Sequence, residues 1–405
     1  MIRVRAMMGL AALASAAGIL SVALVARAAA AEKDTPAPSP AASPYAAWKH
    51  GPPADAAYFP IAVWLQDPEM APRYKVAGFN LYIGLWKGPT EGQLASLAKA
   101  AMPVICEQND VGLKHLDDPM IVGWMHGDEP DNAQPLGSGS GYGPPVPTAQ
   151  IVADYERLRR RDPSRPIVLN LGQGVAWDAW HGRGARTNHP EDYPEYVKGG
   201  DVVSFDIYPV AHPSPDVQGN LWYVARGVER LVRWAGGRTI VWNCVECTRI
   251  QSDRKATPRD VKAEVWMALV HGSTGLIWFV HEWKPRFNEH AVLDDPAMLS
   301  AVTAINRQVQ ELALVLNSPT VAGGAQVVSS SADVPVAAMT KRHGGATYVF
   351  AVAMRAGATT AAFTVAGAAE GAAVEVLGEG RSLKAAGGKF EDRFDPYGVH
   401  LYRMP

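Results

Sequence analysis

Apolar runs alternate with helix-like stretches along the middle of the chain, between Phe59 and Ser318. Most residues in eight of these runs are apolar, as in parallel strands buried on both faces; the runs span 59–67, 79–86, 102–109, 121–129, 166–174, 202–210, 239–246 and 275–283. Amphipathic stretches between or after them predict helices at 90–101, 148–161, 221–235, 257–271 and 295–316. This repetition over about 260 residues predicts a (β/α)8 barrel.

A doubly wound open sheet is the alternative architecture. Such a sheet more naturally carries a glycine-rich phosphate turn after its first strand, whereas the first run here ends in LQDPEM. Polar and acidic residues also gather where the apolar runs end, and a barrel places its active site on that face. These residues are Asp67, Glu107, Gln108, Asp128, Glu129, Gln173, Asp206, Tyr208, Glu246, His281 and Glu282.

The two ends of the chain differ from the middle. Arg3 and Arg5 precede an apolar run and small residues, which predicts a signal peptide over 1–31; a retained membrane anchor is the alternative. A Pro, Ala and Ser-rich linker is predicted over 32–54 and the barrel over 55–318. From 319 to 405, short Val, Thr and Ala runs divided by glycines predict a small antiparallel β-sandwich domain.

Charge and motifs exclude several classes of function. The net charge is −2, with no long basic or acidic block, so we expect no nucleic-acid partner and no electrostatic adhesion to membranes. The signal predicts a secreted or periplasmic protein without a stable membrane span after cleavage. None of the histidines form the H-x-H pair of barrel metallohydrolases, and no phosphate-binding or dinucleotide motif occurs; we therefore expect no metal and no cofactor.

Two predicted strand ends carry the candidate chemistry: IVGWMHGDEPDN on the fourth run and TIVWNCVECT on the seventh. The layout resembles the retaining glycoside hydrolases built on (β/α)8 barrels, the large clan with catalytic glutamates at the ends of strands four and seven. Glu129 and Glu246 occupy the matching places. The resemblance implies Glu129 as acid/base, Glu246 as nucleophile and a carbohydrate substrate. Glycosidic cleavage needs such a pair, because one carboxylic acid protonates the leaving oxygen while one carboxylate meets the anomeric carbon.

Details of the fourth run leave alternatives open. Asp128 is the rival acid/base, because neighbours on a strand point to opposite faces and the register is not fixed. The clan commonly has an asparagine before its acid/base glutamate, to contact the sugar 2-hydroxyl, and this sequence has Asp128 there. Glu246 is predicted to share a strand face with Trp242 and Cys244.

Other residues are candidates for binding the sugar. The clan often has a tyrosine near strand six that hydrogen-bonds the nucleophile, and Tyr208 matches it. Trp278 and Trp283 are candidate stacking platforms for a pyranose, with Trp64 as a further one. The remaining polar candidates near strand ends are Asp206, His281 and Glu107.

The three cysteines, Cys106, Cys244 and Cys247, are not predicted to carry chemistry. A redox C-x-x-C pair works at a helix N-terminus and a zinc site needs a second pair, whereas Cys244 lies within an apolar run.

The N-terminal signal and the resemblance together predict an exported retaining glycoside hydrolase. A non-catalytic carbohydrate-binding barrel and an inverting glycosidase are the alternatives.

Overall fold

The computed structural model describes residues 43–137, 139, 141–250 and 252–405. The predicted signal peptide (1–31) and residues 32–42 of the predicted linker lie outside the described residues. No helix within the described ranges is long and apolar enough to cross a membrane.

Nine parallel strands form the barrel sheet, and two of them are halves of one interrupted strand. The strands are β1 (Ile61–Trp64), β2 (Leu81–Ile83), β3 (Val104–Glu107), β4 (Ile121–Met125), β5 (Ile167–Leu171), β6 (Val202–Phe205), β7 (Ile240–Val241), β8 (Asn243–Glu246) and β9 (Leu276–Phe279). β7 pairs with β6, while β8 pairs with β9, which in turn pairs with β1. Because β7 and β8 are halves of one strand, interrupted at Trp242, their two pairings close the sheet into a ring. The predicted (β/α)8 barrel is confirmed.

Alternate strand residues face the barrel interior and the surrounding helices. Ile105 and Cys244 belong to an inner cluster, whereas their neighbours Cys106 and Val245 pack in the outer one. All three cysteines are buried and free, with Cys244 and Cys247 in different layers. This arrangement leaves no disulfide in the barrel.

The five predicted helical stretches are present, and two short helices, Ala71–Val76 and Tyr193–Tyr196, were not predicted. The helices are α1 (Ala71–Val76), α2 (Glu91–Ala100), α3 (Thr148–Arg161), α4 (Tyr193–Tyr196), α5 (Trp222–Ala235), α6 (Pro258–Val270), α7 (Pro296–Glu311) and α8 (Ala313–Leu316). Thr90 and Thr257 close capping boxes at the starts of α2 and α6. The connection between β3 and β4 contains one 3-10 turn, Gly112–Lys114, and no α-helix.

A fully buried arginine fastens the β4 and β5 ends of the barrel. Arg165 donates to the Ile121, Leu116 and Asp118 carbonyl oxygens and to the Asp162 carboxylate, at 2.6 to 3.1 Å. The Trp124 indole donates to the same Asp162 oxygen at 2.9 Å. A buried charge that is both paired and hydrogen-bonded in this way is costly to disturb.

The C-terminal region forms two antiparallel sheets with a core of their own. One contains β10 (Ala325–Ser329), β13 (Thr359–Val365) and β16 (Lys389–Phe394). The other contains β11 (Val336–His343), β12 (Ala346–Ala353), β14 (Ala373–Val376), β15 (Arg381–Lys384) and β17 (Val399–Met404). This domain packs on α6, where the Trp266 and Phe350 rings lie 5.1 Å apart. The predicted β-sandwich is thereby confirmed.

Part of the predicted linker packs on the barrel. Tyr45 is buried, and its hydroxyl accepts a hydrogen bond from the Trp242 indole at 3.0 Å. The His50 N–H donates to the Ser164 carbonyl, just before β5. Residues 43–54 therefore belong to the folded body, at the end of the barrel where the strands begin.

Candidate active site

A pocket of about 370 Å³ opens where the barrel strands end. Loops or strand tips of β4, β5, β6, β8 and β9 contribute to its wall, which makes it the central depression of the barrel mouth. We call it the acidic pocket; it is lined by Asp128, Glu129, Gln173, Trp180, Asp206, Tyr208, Ile250, Phe279 and Trp283.

An asparagine holds two of the carboxylates in place. Asn170 on β5 is buried, and its amide nitrogen donates to Asp128 at 3.0 Å and to Asp206 at 2.8 Å. An amide NH₂ has two N–H donors, so one nitrogen can bind both carboxylates. Since both distances are measured from that nitrogen, the two acceptor oxygens lie within about 6 Å of each other. The Ser204 hydroxyl donates to the Asn170 carbonyl oxygen, which fixes the amide orientation. Tyr208 donates to the second Asp206 oxygen at 3.1 Å.

The backbone conformation of Glu129 and a chain of side-chain hydrogen bonds hold this residue in place. Its φ of 43° is in the left-handed region, which a residue other than glycine seldom adopts. Its N–H donates to the Asn170 carbonyl, and its carboxylate accepts from Asn132 at 2.9 Å. Asn132 in turn accepts from the Trp180 indole at 2.9 Å. The strained turn thereby aims Glu129 into the acidic pocket.

The carboxyl groups of this cluster favour their protonated forms. Burial and the charge of Asp128 raise the pKa of Asp206 to about 7, although hydrogen bonds from Asn170 and Tyr208 act against the rise. Burial, followed by the charges of Asp206, Asp128 and Asp131, raises the pKa of Glu129 well above its ordinary value. Neighbouring buried carboxyls that raise each other's pKa suit a pair that shares one proton, with one group ionised and the other protonated.

Aromatic rings form the other sides of the pocket. Trp283 has half of its surface exposed and lies 4.7 Å, between ring centroids, from the exposed Phe287. Phe279 lies against Tyr208 at 5.1 Å. Flat apolar rings beside acceptors and donors are the surface that a pyranose contacts, because its C–H faces stack while its hydroxyls bond.

Glu246 is not in the wall of the acidic pocket. Its side chain is fully buried, and its two oxygens accept from the Val210 and Ala211 N–H groups at 2.6 and 2.8 Å. Its neighbour is Glu264 on α6, which is also fully buried. A sugar bound in the acidic pocket would not touch Glu246, because this residue does not line that pocket; the nucleophile role predicted for Glu246 does not fit this placement.

The Glu246 and Glu264 pair should make stability depend on pH. Burial raises the pKa of Glu246 to about 7 and that of Glu264 well above its ordinary value, so the folded state retains protons that the unfolded chain loses above pH 4.5. Stability should therefore fall as pH rises from about 5 to 7. We expect Glu264→Gln to flatten this slope in urea unfolding and to make the protein more stable than the wild type at pH 8, where the buried carboxyls would have to ionise. An unchanged slope would contradict the assignment.

Three other predicted sugar contacts lie elsewhere. Trp278 is fully buried in the outer layer, and its indole donates to Asn306 on α7. Trp64 belongs to the inner cluster and retains 7% exposure. His281 is buried beside Gln66, and burial lowers its pKa to about 4. None of the three lines the acidic pocket, so their predicted roles as sugar contacts are corrected.

Six predicted residues do meet in the acidic pocket: Asp128, Glu129, Gln173, Asp206, Tyr208 and Trp283. Glu107, at the end of β3, lines a neighbouring pocket instead. The sequence prediction missed Trp180, Ile250 and Phe279, and it missed the supporting residues Asn170 and Asn132. Trp180 and Asn132 lie in loops without periodicity, whereas Asn170 could have been noticed as a polar residue inside an apolar run.

Within the described residues, no group of three or more His, Cys, Asp or Glu side chains is arranged to hold a metal ion. The carboxylates of the acidic pocket accept hydrogen bonds from Asn170, Asn132 and Tyr208. The groups available for chemistry in this pocket are thus its carboxyl groups, one phenol and several amides.

No protein-family model matches the chain, and no curated protein matches it in sequence. Solved structures share its fold. An AmyP variant in complex with maltotriose aligns with a TM-score of 0.54 at 10% identity, covering 86% of this chain and 97% of that one. An Anoxybacillus α-amylase gives 0.51 at 10% identity, over 86% and 98%. The Geobacillus thermoleovorans α-amylase complexed with acarbose gives 0.50 at 12%, over 86% and 98%. At such identities the likeness establishes a common fold.

Proposed function

We propose that this protein is a glycoside hydrolase that acts on an oligosaccharide or polysaccharide. The observation that carries the proposal is the group of carboxyls Asp128, Glu129 and Asp206, gathered beside aromatic rings where barrel strands end. Barrel enzymes place their chemistry at this face. The similarity in fold to amylases bound to maltotriose and acarbose supports a sugar ligand. Export, inferred from the N-terminal sequence, would give the protein access to such polymers.

In the proposed mechanism Glu129 is the general acid. Burial and the neighbouring carboxyls raise its pKa, which favours the protonated form that donates to the departing glycosidic oxygen. Asp206 is the proposed nucleophile. Hydrogen bonds from Tyr208 and Asn170 orient both of its oxygens and favour its ionised form. Asp206 attacks the anomeric carbon, and the deprotonated Glu129 then activates the water that releases the sugar.

Asp128 supports the same chemistry, and a retaining course is proposed. Its hydrogen bond to Asn170 places one of its oxygens within about 6 Å of one of Asp206. This spacing puts Asp128 beside the proposed nucleophile. The retaining course follows from assigning Asp206 as a carboxylate nucleophile, which forms a covalent glycosyl intermediate that water then hydrolyses. We assign Asp128 to binding a sugar hydroxyl beside the scissile bond.

The proposal is tested by incubating the purified protein with a panel of glycans and analysing the products. We expect reducing ends to be released from at least one glycan. Proton NMR of the first product should show the anomeric configuration of the substrate; the opposite anomer would replace the retaining course by an inverting one. Saturable glycan binding with no cleavage of any panel member would favour a non-catalytic binding barrel.

Activity should depend on pH through the same two carboxyls. Asp206, with its pKa of about 7, must lose its proton, so kcat/KM should rise as pH increases through about 7. It should fall again at higher pH, where Glu129 ionises. Asn170→Ala removes a hydrogen bond that stabilises ionised Asp206, and we expect it to move the acidic limb upward by about one pH unit. A profile that is flat from pH 5 to 9 would contradict these roles.

A further inference from the structure

A second pocket of about 420 Å³ adjoins the acidic pocket. It lies between the ends of β3 and β4 and the helix α3, and Asp128 lines both pockets. We call it the second pocket; its polar side chains are those of Glu107, Gln108, Asn109, His126, Asp128, Gln134, Gln150, Asp154 and Arg157.

The second pocket contains a buried acceptor that nothing in the described structure satisfies. Gln108 is only 8% exposed, and its amide nitrogen donates to the Leu158 carbonyl at 3.0 Å. Its Oε1 has no hydrogen-bond partner among the described residues. A buried carbonyl oxygen without a donor costs about 1 to 3 kcal/mol, which a bound donor would recover.

The charges of the second pocket are unbalanced toward acid. Arg157 is its one guanidinium, and Asp154 already pairs with it at 3.0 Å. Burial lowers the pKa of His126, so this imidazole is neutral. Glu107 is exposed, and within the described residues its side chain makes no hydrogen bond or salt bridge. Glu107 is left to meet a ligand that brings N–H donors and positive charge.

We infer that the second pocket binds a hexosamine unit with a free amino group, next to the sugar whose bond is cleaved. The inference rests on the proposed function, because Asp128 links the two pockets along one oligosaccharide. A protonated amine offers three N–H donors and one positive charge, matching the Gln108 oxygen and the Glu107 carboxylate. A uronic acid or a sulfated sugar would meet repulsion there.

The test compares the affinities of three tetrasaccharides for the Asp206→Asn variant, which is chosen to prevent turnover. The ligands are a glucosamine tetramer, its fully N-acetylated form and a cello-tetraose, titrated by calorimetry at pH 6 and low salt. We expect the glucosamine tetramer to bind about tenfold more tightly than the others, with the difference shrinking at high salt. Adding Glu107→Gln should remove most of the difference, because it removes the carboxylate that pairs with the ammonium group while Asp128 and the acidic pocket remain unchanged.

Glu311→Gln on α7 is the matched control, since this exposed glutamate lies outside both pockets. It should leave all three affinities unchanged. Equal affinities for the three ligands, or a preference that persists in the Glu107→Gln variant, would overturn the inference while leaving hydrolysis of neutral glycans intact. If no tetrasaccharide binds and the wild type cleaves no glycan of the panel, the proposed function fails as well.

Discussion

Asp206→Asn should reduce kcat on a cleaved glycan by at least about 10³-fold, because it removes the proposed nucleophile. Glu129→Gln should reduce kcat by about 10² to 10⁴-fold on natural glycosides. In an aryl glycoside with an acidic phenol, the phenolate departs without being protonated. Glu129→Gln should therefore retain far more activity on that substrate. Rates measured on both substrate types separate the two roles.

Two further variants serve as comparisons for these rates. Asp110→Asn changes an exposed aspartate in the loop after β3, outside the acidic pocket, and we expect kcat to remain within about twofold of the wild type. Glu246→Gln loses an acceptor for a backbone N–H, so it should lower stability, yet the folded variant should stay active. The assignment fails if folded Glu246→Gln is as inactive as Asp206→Asn.

Arg165→Met should lower the free energy of unfolding by about 3 to 5 kcal/mol, because it leaves the buried Asp162 carboxylate and three carbonyl oxygens without their cation. The change can be measured as a shift of the urea midpoint, followed by tryptophan fluorescence. Activity of the remaining folded fraction should persist.

The matched comparison is Arg157→Met, which breaks the Arg157 pair with Asp154 at the same spacing, three residues apart, on α3. Both members of that pair are partly exposed, so the expected loss is below about 1 kcal/mol. Equal losses in the two variants would show that the Arg165 network does not stabilise the barrel more than a surface pair does.

The period of the apolar runs was enough to predict the barrel, since strands buried on both faces differ clearly from amphipathic helices. In the C-terminal domain the apolar runs predicted from the sequence did not include β11, β15 or β16. In β16 the inward Phe390 and Phe394 belong to the core, but charged residues stand between them and hide the strand. The polar edge strand β15 was missed for the same reason.

The candidate site could be predicted where a carboxylate lies within a few residues of a strand end, as for Glu129 after β4 and Asp206 after β6. Local pattern failed for Glu246, because its contacts come from the loop after β6, which is far away in sequence. It failed for Trp278 because a run such as LIWF does not reveal which ring faces the helices. Both errors concern contacts between elements that are far apart in the chain. The two-residue alternation along a strand carries no information about such contacts.

The segment around Tyr45 fixes the direction in which the chain enters the barrel. Its contacts with Trp242 and Ser164 lie at the end where the strands begin, opposite the acidic pocket. Ser43, the first described residue, therefore lies on the side of the barrel remote from the mouth. A support or partner that binds the barrel through this side would leave the mouth uncovered and accessible to a long glycan chain.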